Sequence, residues 1–338
     1  MKVLFIGGTG LISSASSDLA ARNGIELYIL NRGDSKKYPI PRGAKLLKAD
    51  IRLDQKKISQ MMAKEKFDSV VDWIAFTPQD IENDISLFSG RTRQFIFISS
   101  ASAYQKPPTN YLITESTPLV NPYWEYSRNK IACEIRLLKE YRDNRFPVTI
   151  VRPSLTYGPS QIPLAVGSWN HPYTVIDRMK KGKKIIVPGD GTSLWTCTYN
   201  SDFAKGLVGL LGMEKAIGHA FHITSDEVLT WDQIYTETAH AVDVEPKIVH
   251  VPSELIAAYA PWVLGSLLGD KAVSTVFDNS KIKRFVPGYL ATVPWAEGVR
   301  KAISWHEKDK ARCTIDVDAN NLWDKIISVY EKALTKGK

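Results

Sequence analysis

A doubly wound α/β fold, with a parallel sheet and a smaller C-terminal substrate-binding lobe, is what this sequence predicts. Three observations predict it. Short apolar blocks alternate with longer amphipathic segments over roughly the first 150 residues. The first block runs straight into a glycine-rich turn, Gly7-Gly8-Thr9-Gly10. After Arg152-Pro153 the alternation gives way to a chain punctuated by Pro and Gly.

The apolar blocks are residues 3–6, 27–30, 44–47, 70–74, 95–98 and 148–151. Apart from Lys45, Asp72 and Thr149 they are apolar, as strands buried on both sides of a parallel sheet should be. Residues 54–64 and 126–141 carry helical patterns between them. Further on, 201–211 reads as a helix and 220–224 as a strand able to return to the first sheet. The last segment reads as an amphipathic helix with Leu322, Ile326, Val329 and Ala333 on its apolar face. The expected division is therefore 1–160 plus about 196–224 for a dinucleotide-binding domain. The lobe takes about 161–195 plus 225–338.

Composition narrows the class. The chain has 338 residues, 44% hydrophobic and 24% charged, which excludes a disordered or fibrous protein. Lys plus Arg number 44 against 36 Asp plus Glu, a net charge of +8. Spread along the chain, that excess suits anionic small molecules and does not demand nucleic acid. The apolar run 3–6 is too short for a secretory h-region, and 255–268 is broken by Pro261 and Gly265, so no membrane span is expected. Three cysteines (Cys133, Cys197, Cys313) have neither metal-ligand nor redox spacing, which fits a reducing, cytoplasmic compartment.

The chemistry-bearing motifs follow in order. In Gly7-Gly8-Thr9-Gly10-Leu11-Ile12-Ser13 a strand enters a turn that opens a helix, the setting of the Rossmann dinucleotide fingerprint. Gly7 permits the turn, Gly10 permits close approach to a pyrophosphate, and Ser13 replaces the third glycine. Asn31 ends the second strand 21 residues past Gly10, where an acidic residue would bind the ribose of NAD. A guanidinium follows instead, Arg32, with Lys36 and Lys37 nearby, and it can pair with a 2′-phosphate. NADP is expected over NAD. Ser99-Ser100 ends the strand at 95–98, and Tyr126 and Lys130 share one face of a helix 26 residues on.

That order resembles the extended branch of the short-chain dehydrogenase/reductase superfamily, which holds NAD-dependent epimerases, dehydratases and reductases. Asp50-Ile51 is similar to the family's adenine-contacting pair, Ile74-Ala75-Phe76 to the wall where the fourth strand meets the cofactor, and Arg152-Pro153…Tyr157-Gly158-Pro159 to the segment beside the nicotinamide. The resemblance implies Ser100, Tyr126 and Lys130 as the catalytic set. Tyr126 would exchange a proton with the substrate, its phenolate favoured by Lys130 together with a nearby oxidised nicotinamide. Ser100 would hold the reacting oxygen, and Lys130 would bind the nicotinamide ribose. Cofactor contacts would come from Gly7, Thr9, Gly10, Leu11, Ile12, Asn31, Arg32, Asp50, Ile51, Ile74, Ala75, Phe76, Tyr126, Lys130 and Pro153. No metal is expected.

Departures from the family pattern narrow the substrate. Dehydratases carry Asp-Glu where this chain has Ala101-Ser102, so elimination of water lacks its proton donor. Sugar-nucleotide enzymes usually carry Arg where this chain has Trp195, which suggests weak or no binding of UDP- and GDP-sugars and a smaller or more apolar carbonyl or hydroxyl substrate stacked near that ring, a sugar derivative being admitted. His219 and His222 read as strand residues and the basic run 180–184 as a solvated turn. The expected activity is NAD(P)-dependent hydride transfer, with a homodimer admitted and no nucleic acid or membrane partner. Two readings stand beside it: a nucleotide-sugar 4-epimerase, and a cofactor-sensing or RNA-binding protein on the same fold.

Overall fold

The computed structural model describes residues 1–35 and 37–335. The first half builds β1 (Lys2–Ile6), α1 (Ser13–Arg22), β2 (Glu26–Asn31), β3 (Lys45–Lys48), α2 (Gln55–Met62), β4 (Ser69–Asp72), α3 (Pro78–Phe88), β5 (Phe95–Ile98), α4 (Glu125–Asn144) and β6 (Val148–Pro153). Later in the chain, α5 (Asn200–Leu210) and β7 (Ala220–Ile223) rejoin the same sheet. The seven strands lie in the order β7-β6-β5-β4-β1-β2-β3, every pair parallel.

Successive side chains of each strand serve opposite faces. Val3, Phe5, Ile29, Val71, Ile96 and Val151 pack with Phe203 and Leu207 of α5 and Ala20 of α1. Leu4, Ile6, Leu30, Val70, Phe97 and Ile150 pack with Ile58 of α2, Ile81 and Ile85 of α3, and Cys133 and Leu137 of α4. Two-sided burial explains the unbroken apolar blocks. β3 departs from it: as the edge strand it has one neighbour, and Leu46 is 41% exposed.

Helix α3 has a local signal outside the hydrophobic pattern. Thr77 caps it in a capping box with Asp80, and Pro78 occupies the first turn. The strand order reverses between β1 and β4, which opens a crevice at their C-terminal ends.

A third core, built on Trp195, Trp231, Trp295, Tyr157 and Tyr235, fills the C-terminal half. Parallel strands Lys184–Pro188 and Lys247–Val251 and the helix Val317–Thr335 close it. That helix buries Trp323, Ile326 and Ile327, while Val329 and Ala333 are exposed. The apolar face is thus rotated by about one residue from the expected stripe, because Trp323 is the largest apolar side chain to bury. No helix among the described residues is long and apolar enough to cross a membrane.

Candidate active site

The glycine-rich turn lies in the crevice between β1 and β4. Gly7 and Gly8 both have positive φ, +106° and +79°. A Cβ on Gly7 would lie 3.2 Å from Trp73 Cβ, and one on Gly8 3.1 Å from Ile29 Cγ2. Two consecutive glycines therefore let the turn fold tightly against β2 and the end of β4. The Asn31 side-chain amide donates to Gly7 O (3.2 Å) and Thr9 Oγ1 (3.1 Å), and its Oδ1 accepts from Gly33 N (2.8 Å). Asn31 thus clamps the turn to the end of β2.

Helix α1 has no side-chain cap on its N-terminus, which leaves amides near Leu11 and Ile12 for an anion. Ser13 does more than keep helix and strand close, since its Oγ accepts from Gly10 N at 2.8 Å. From α5, Asn200 Nδ2 donates to Leu11 O at 2.8 Å, a contact with no signal in the motif itself.

Around this turn, Arg32 is 70% exposed, with Asp34 3.8 Å away. The Lys37 ammonium lies over the Trp305 ring, 5.6 Å from its centroid, and Lys36 is outside the described residues. Asp50 Oδ1 accepts from Arg52 N (2.9 Å), and Ile51 is buried in the core beneath it. Arg52 donates to Ile74 O (2.7 Å), lies over the Phe76 ring and approaches Asp80 at 3.5 Å. It ties the end of β3 to the end of β4, a role invisible in sequence because both partners are distant in the chain.

Ser100 follows β5, and Tyr126 and Lys130 occupy successive turns at the start of α4. The three come together at the ends of β4 and β5. Lys130 is buried and donates to Ala75 O (2.6 Å) and Ile98 O (2.8 Å), with its ammonium 4.5 Å from the Phe76 centroid and 5.9 Å from that of Tyr126. Burial pushes the ammonium pKa down to about 8, against the pull of Asp72.

In the chain alone the phenol of Tyr126 is pushed up. Burial raises its pKa and Asp270 adds to the rise, while only Ser100 opposes it. Desolvation therefore outweighs any help from the Lys130 charge, which is directed at main-chain carbonyls. Ser100 Oγ lies 2.8 Å from Ser102 Oγ, which also accepts from Ser127 Oγ at 2.7 Å. Ser102 is thus the hub of a hydroxyl chain.

Beneath the site lie two acids that no motif signalled. Asp72 accepts from the amides of Ile74 and Ala75, fixing the wall at 74–76. Asp84 beside it is buried, and desolvation together with the Asp72 charge keeps its pKa well above the carboxylate range. Burial raises the Asp72 pKa as well, so the two carboxyls disfavour each other's charge. Arg152 lies under the reacting end, its guanidinium paired with Glu134 through 2.9 Å and 2.6 Å bonds and stacked over Tyr104. Tyr104 in turn bonds His222 Nδ1 (3.0 Å), and burial lowers the His222 pKa. Pro153 ends β6 opposite Ile223.

The expectation at Trp195 needs correcting. Trp195 is 2% exposed and stacked on Trp231 (5.5 Å, 24°), so its ring faces are core surfaces and offer no free platform. The basic run is an exposed turn, as expected, in which Lys180, Lys181, Lys183 and Lys184 each pair with a carboxylate, of Glu307, Asp177, Asp324 and Glu331 respectively.

The NAD dependent epimerase/dehydratase family model matches residues 3–224. The chain is 28% identical over 262 residues to the chloroplast stem-loop binding protein of 41 kDa b of Arabidopsis thaliana, covering 74% of this chain and 65% of that one. It is 25% identical over 298 residues to 2′-dehydrokanamycin reductase of Streptomyces kanamyceticus, covering 86% and 80%. The solved UDP-glucuronic acid 4-epimerase of Bacillus cereus, in complex with UDP-glucuronic acid and NAD, shares the fold at 18% identity and a TM-score of 0.73, covering 91% and 99%. With the family model matched over most of the chain, and with the seven-stranded sheet and glycine-rich turn in place, the chain belongs to the NAD dependent epimerase/dehydratase family.

Proposed function

We propose that the chain is an NADP-preferring oxidoreductase of the extended short-chain type, acting on a carbonyl or hydroxyl carbon. The observation that carries this reading is the convergence of Ser100, Tyr126 and Lys130 at the strand ends beside the glycine-rich turn. The residues fit a dinucleotide, because the turn presses against β2 and β4 and leaves an uncapped helix end facing the crevice. Residues 1–160 and about 196–224 form the cofactor domain in this reading, and the remainder covers the substrate.

When bound, the dinucleotide supplies or accepts the hydride. The chain does the rest. Gly7, Thr9, Gly10, Leu11 and Ile12 receive the pyrophosphate at the α1 N-terminus, and Asn31 holds that turn in shape. Arg32 meets the 2′-phosphate, and Asp50 and Ile51 flank the adenine. Ile74, Ala75, Phe76 and Pro153 wall the nicotinamide end, and Lys130 faces its ribose. Ser100 holds the substrate oxygen while the Tyr126 phenol gives that oxygen its proton, or takes one from it in the reverse direction. With its pKa raised by burial, the Tyr126 phenol holds its proton at neutral pH, the form from which carbonyl reduction starts.

Two tests follow. Calorimetric titration should show tighter NADP(H) than NAD(H) binding, with Arg32→Ala eroding the preference roughly five- to tenfold, the scale of one exposed charge-assisted contact. Equal affinities in the unmodified chain refute the preference. Dinucleotide affinity should also depend on pH. Because the Lys130 ammonium loses its proton near 8, affinity should fall as pH rises through that value. A Lys130→Met chain should show a flat profile there, and an unchanged slope removes Lys130 from the cofactor site.

The stem-loop binding relative favours a second reading, in which the same chain binds RNA. The basic run gives it little help, since each of its lysines is already paired. The 4-epimerase reading lacks the guanidinium at position 195, where a buried Trp195 stands. The three free thiols fit a cytoplasmic location.

A further inference from the structure

Lys106 takes no part in the cofactor site or the proton transfer, yet its side chain is only 1% exposed. Among the described residues its one ion partner is Asp270, at 3.7 Å, beyond hydrogen-bond range. The other oxygen of Asp270 lies 3.5 Å from the Lys271 ammonium. Two ammonium groups therefore share one carboxylate in a sheltered place, which leaves one positive charge without a close partner among the described residues. Burial accordingly pushes the Lys106 pKa down against the pull of Asp270, and a further counter-ion would favour the ammonium.

The cluster is fixed relative to the reacting group. Asp270 and Lys271 lie in the π-helical turn Leu267–Lys271, an irregularity that recurs at functional sites. Asn121 bridges that turn to the hydroxyl hub, donating to Gly269 O (2.7 Å) and Ser102 O (2.8 Å). Just before it, Gly265 packs so closely on Trp124 that a Cβ there would lie 2.3 Å from the indole. Trp124 stands two residues before Tyr126, with ring centroids 5.0 Å apart. The Lys106 ammonium lies over the Trp195 ring, 5.6 Å from its centroid, and the Trp195 indole nitrogen is buried with no partner among the described residues. Through Asn121 and Trp124 the cluster thus borders the reacting end.

We propose that Lys106 and Lys271, bridged by Asp270, form the anion-receiving end of the substrate site, and that the substrate is a small hydroxylated carboxylate. One carboxylate supplies the single negative charge that the cluster lacks, and Asp270 remains free to accept a substrate hydroxyl. A phosphate monoester or diphosphate brings more charge than the cluster can neutralise, next to Asp270. Arginine would offer a planar fork, whereas lysine binds as a point charge and suits a lone carboxylate at the end of a polyol. This assignment deepens the reading of Tyr126 as the reacting group and rests on it for the direction in which the substrate lies.

The test is saturation-transfer NMR with the chain alone and with added NADP. D-glucuronate and D-gluconate are titrated against D-glucose, D-glucitol and glucose 6-phosphate. The acids should bind at least about tenfold tighter than the neutral sugars, the factor for one charge-assisted contact. Lys106→Met should abolish that preference, and Lys271→Met should reduce it if the first variant does not fold. Tyr126→Phe should leave it intact. Equal binding of acids and neutral sugars, tighter binding of glucose 6-phosphate, no saturable binding of either acid, or a preference that survives in both lysine variants overturns the proposal. Should the preference behave as expected while neither dinucleotide binds, the catalytic reading fails and the anion site stands.

Discussion

Tyr126→Phe is expected to lower turnover by about a hundred- to ten-thousandfold, the usual worth of a positioned proton-transfer group. The dinucleotide affinity should change little, because the ring remains and only the hydroxyl is lost. The ring packs against Trp124 and Phe76, so phenylalanine can keep the helix start in place. NADPH oxidation with a carbonyl substrate reads the first effect, and calorimetry reads the second. Turnover within about tenfold of the unmodified chain would show that another group moves the proton. Among the polar groups nearby, Ser100 and Ser102 would then be next to test.

The second large effect concerns stability. Arg152 is charged at any working pH and buried, with both oxygens of Glu134 bonded to it. Glu134→Leu leaves that guanidinium buried without its carboxylate, and strands the Ser99 hydroxyl that also donates to Glu134. The expected cost is about 3–5 kcal/mol, with a fall in Tm on the order of 10 °C. The double variant Arg152→Met with Glu134→Leu should recover much of the loss, because it removes both charges. Thermal unfolding of the single and double variants decides it. A single variant within about 1 kcal/mol of the parent would mean that Tyr104 and solvent compensate the guanidinium.

Much of the site was legible because its motifs are local. Gly7, Asn31, Ser100, Tyr126 and Lys130 each stand at a strand end or helix start that periodicity can place, and the strand order then brings those ends together. The groups that tune the site were not legible. Asp72, Asp84, Arg52 and Asn200 each act on a partner from another segment, and in sequence they resemble ordinary polar residues beside an element. Lys106 and Asp270 lie 164 residues apart, and no pattern connects them.

Lys130 by itself does not pull the Tyr126 pKa down, for a related reason. Spacing brings Lys130 onto the same helix face, but two main-chain carbonyls hold its ammonium and burial dominates the phenol. Trp195 shows the same limit. Its identity revealed the missing guanidinium, but only the packed Trp231 beside it shows that the ring is core.

By itself the sequence determined the parallel sheet, the glycine-rich turn and the order of the candidate catalytic residues, since these follow from the period of apolar residues and from short-range geometry. The tertiary structure decided which charges are buried, which are paired and which proton each group holds. Those quantities depend on desolvation and on neighbours that only folding brings within a few ångströms.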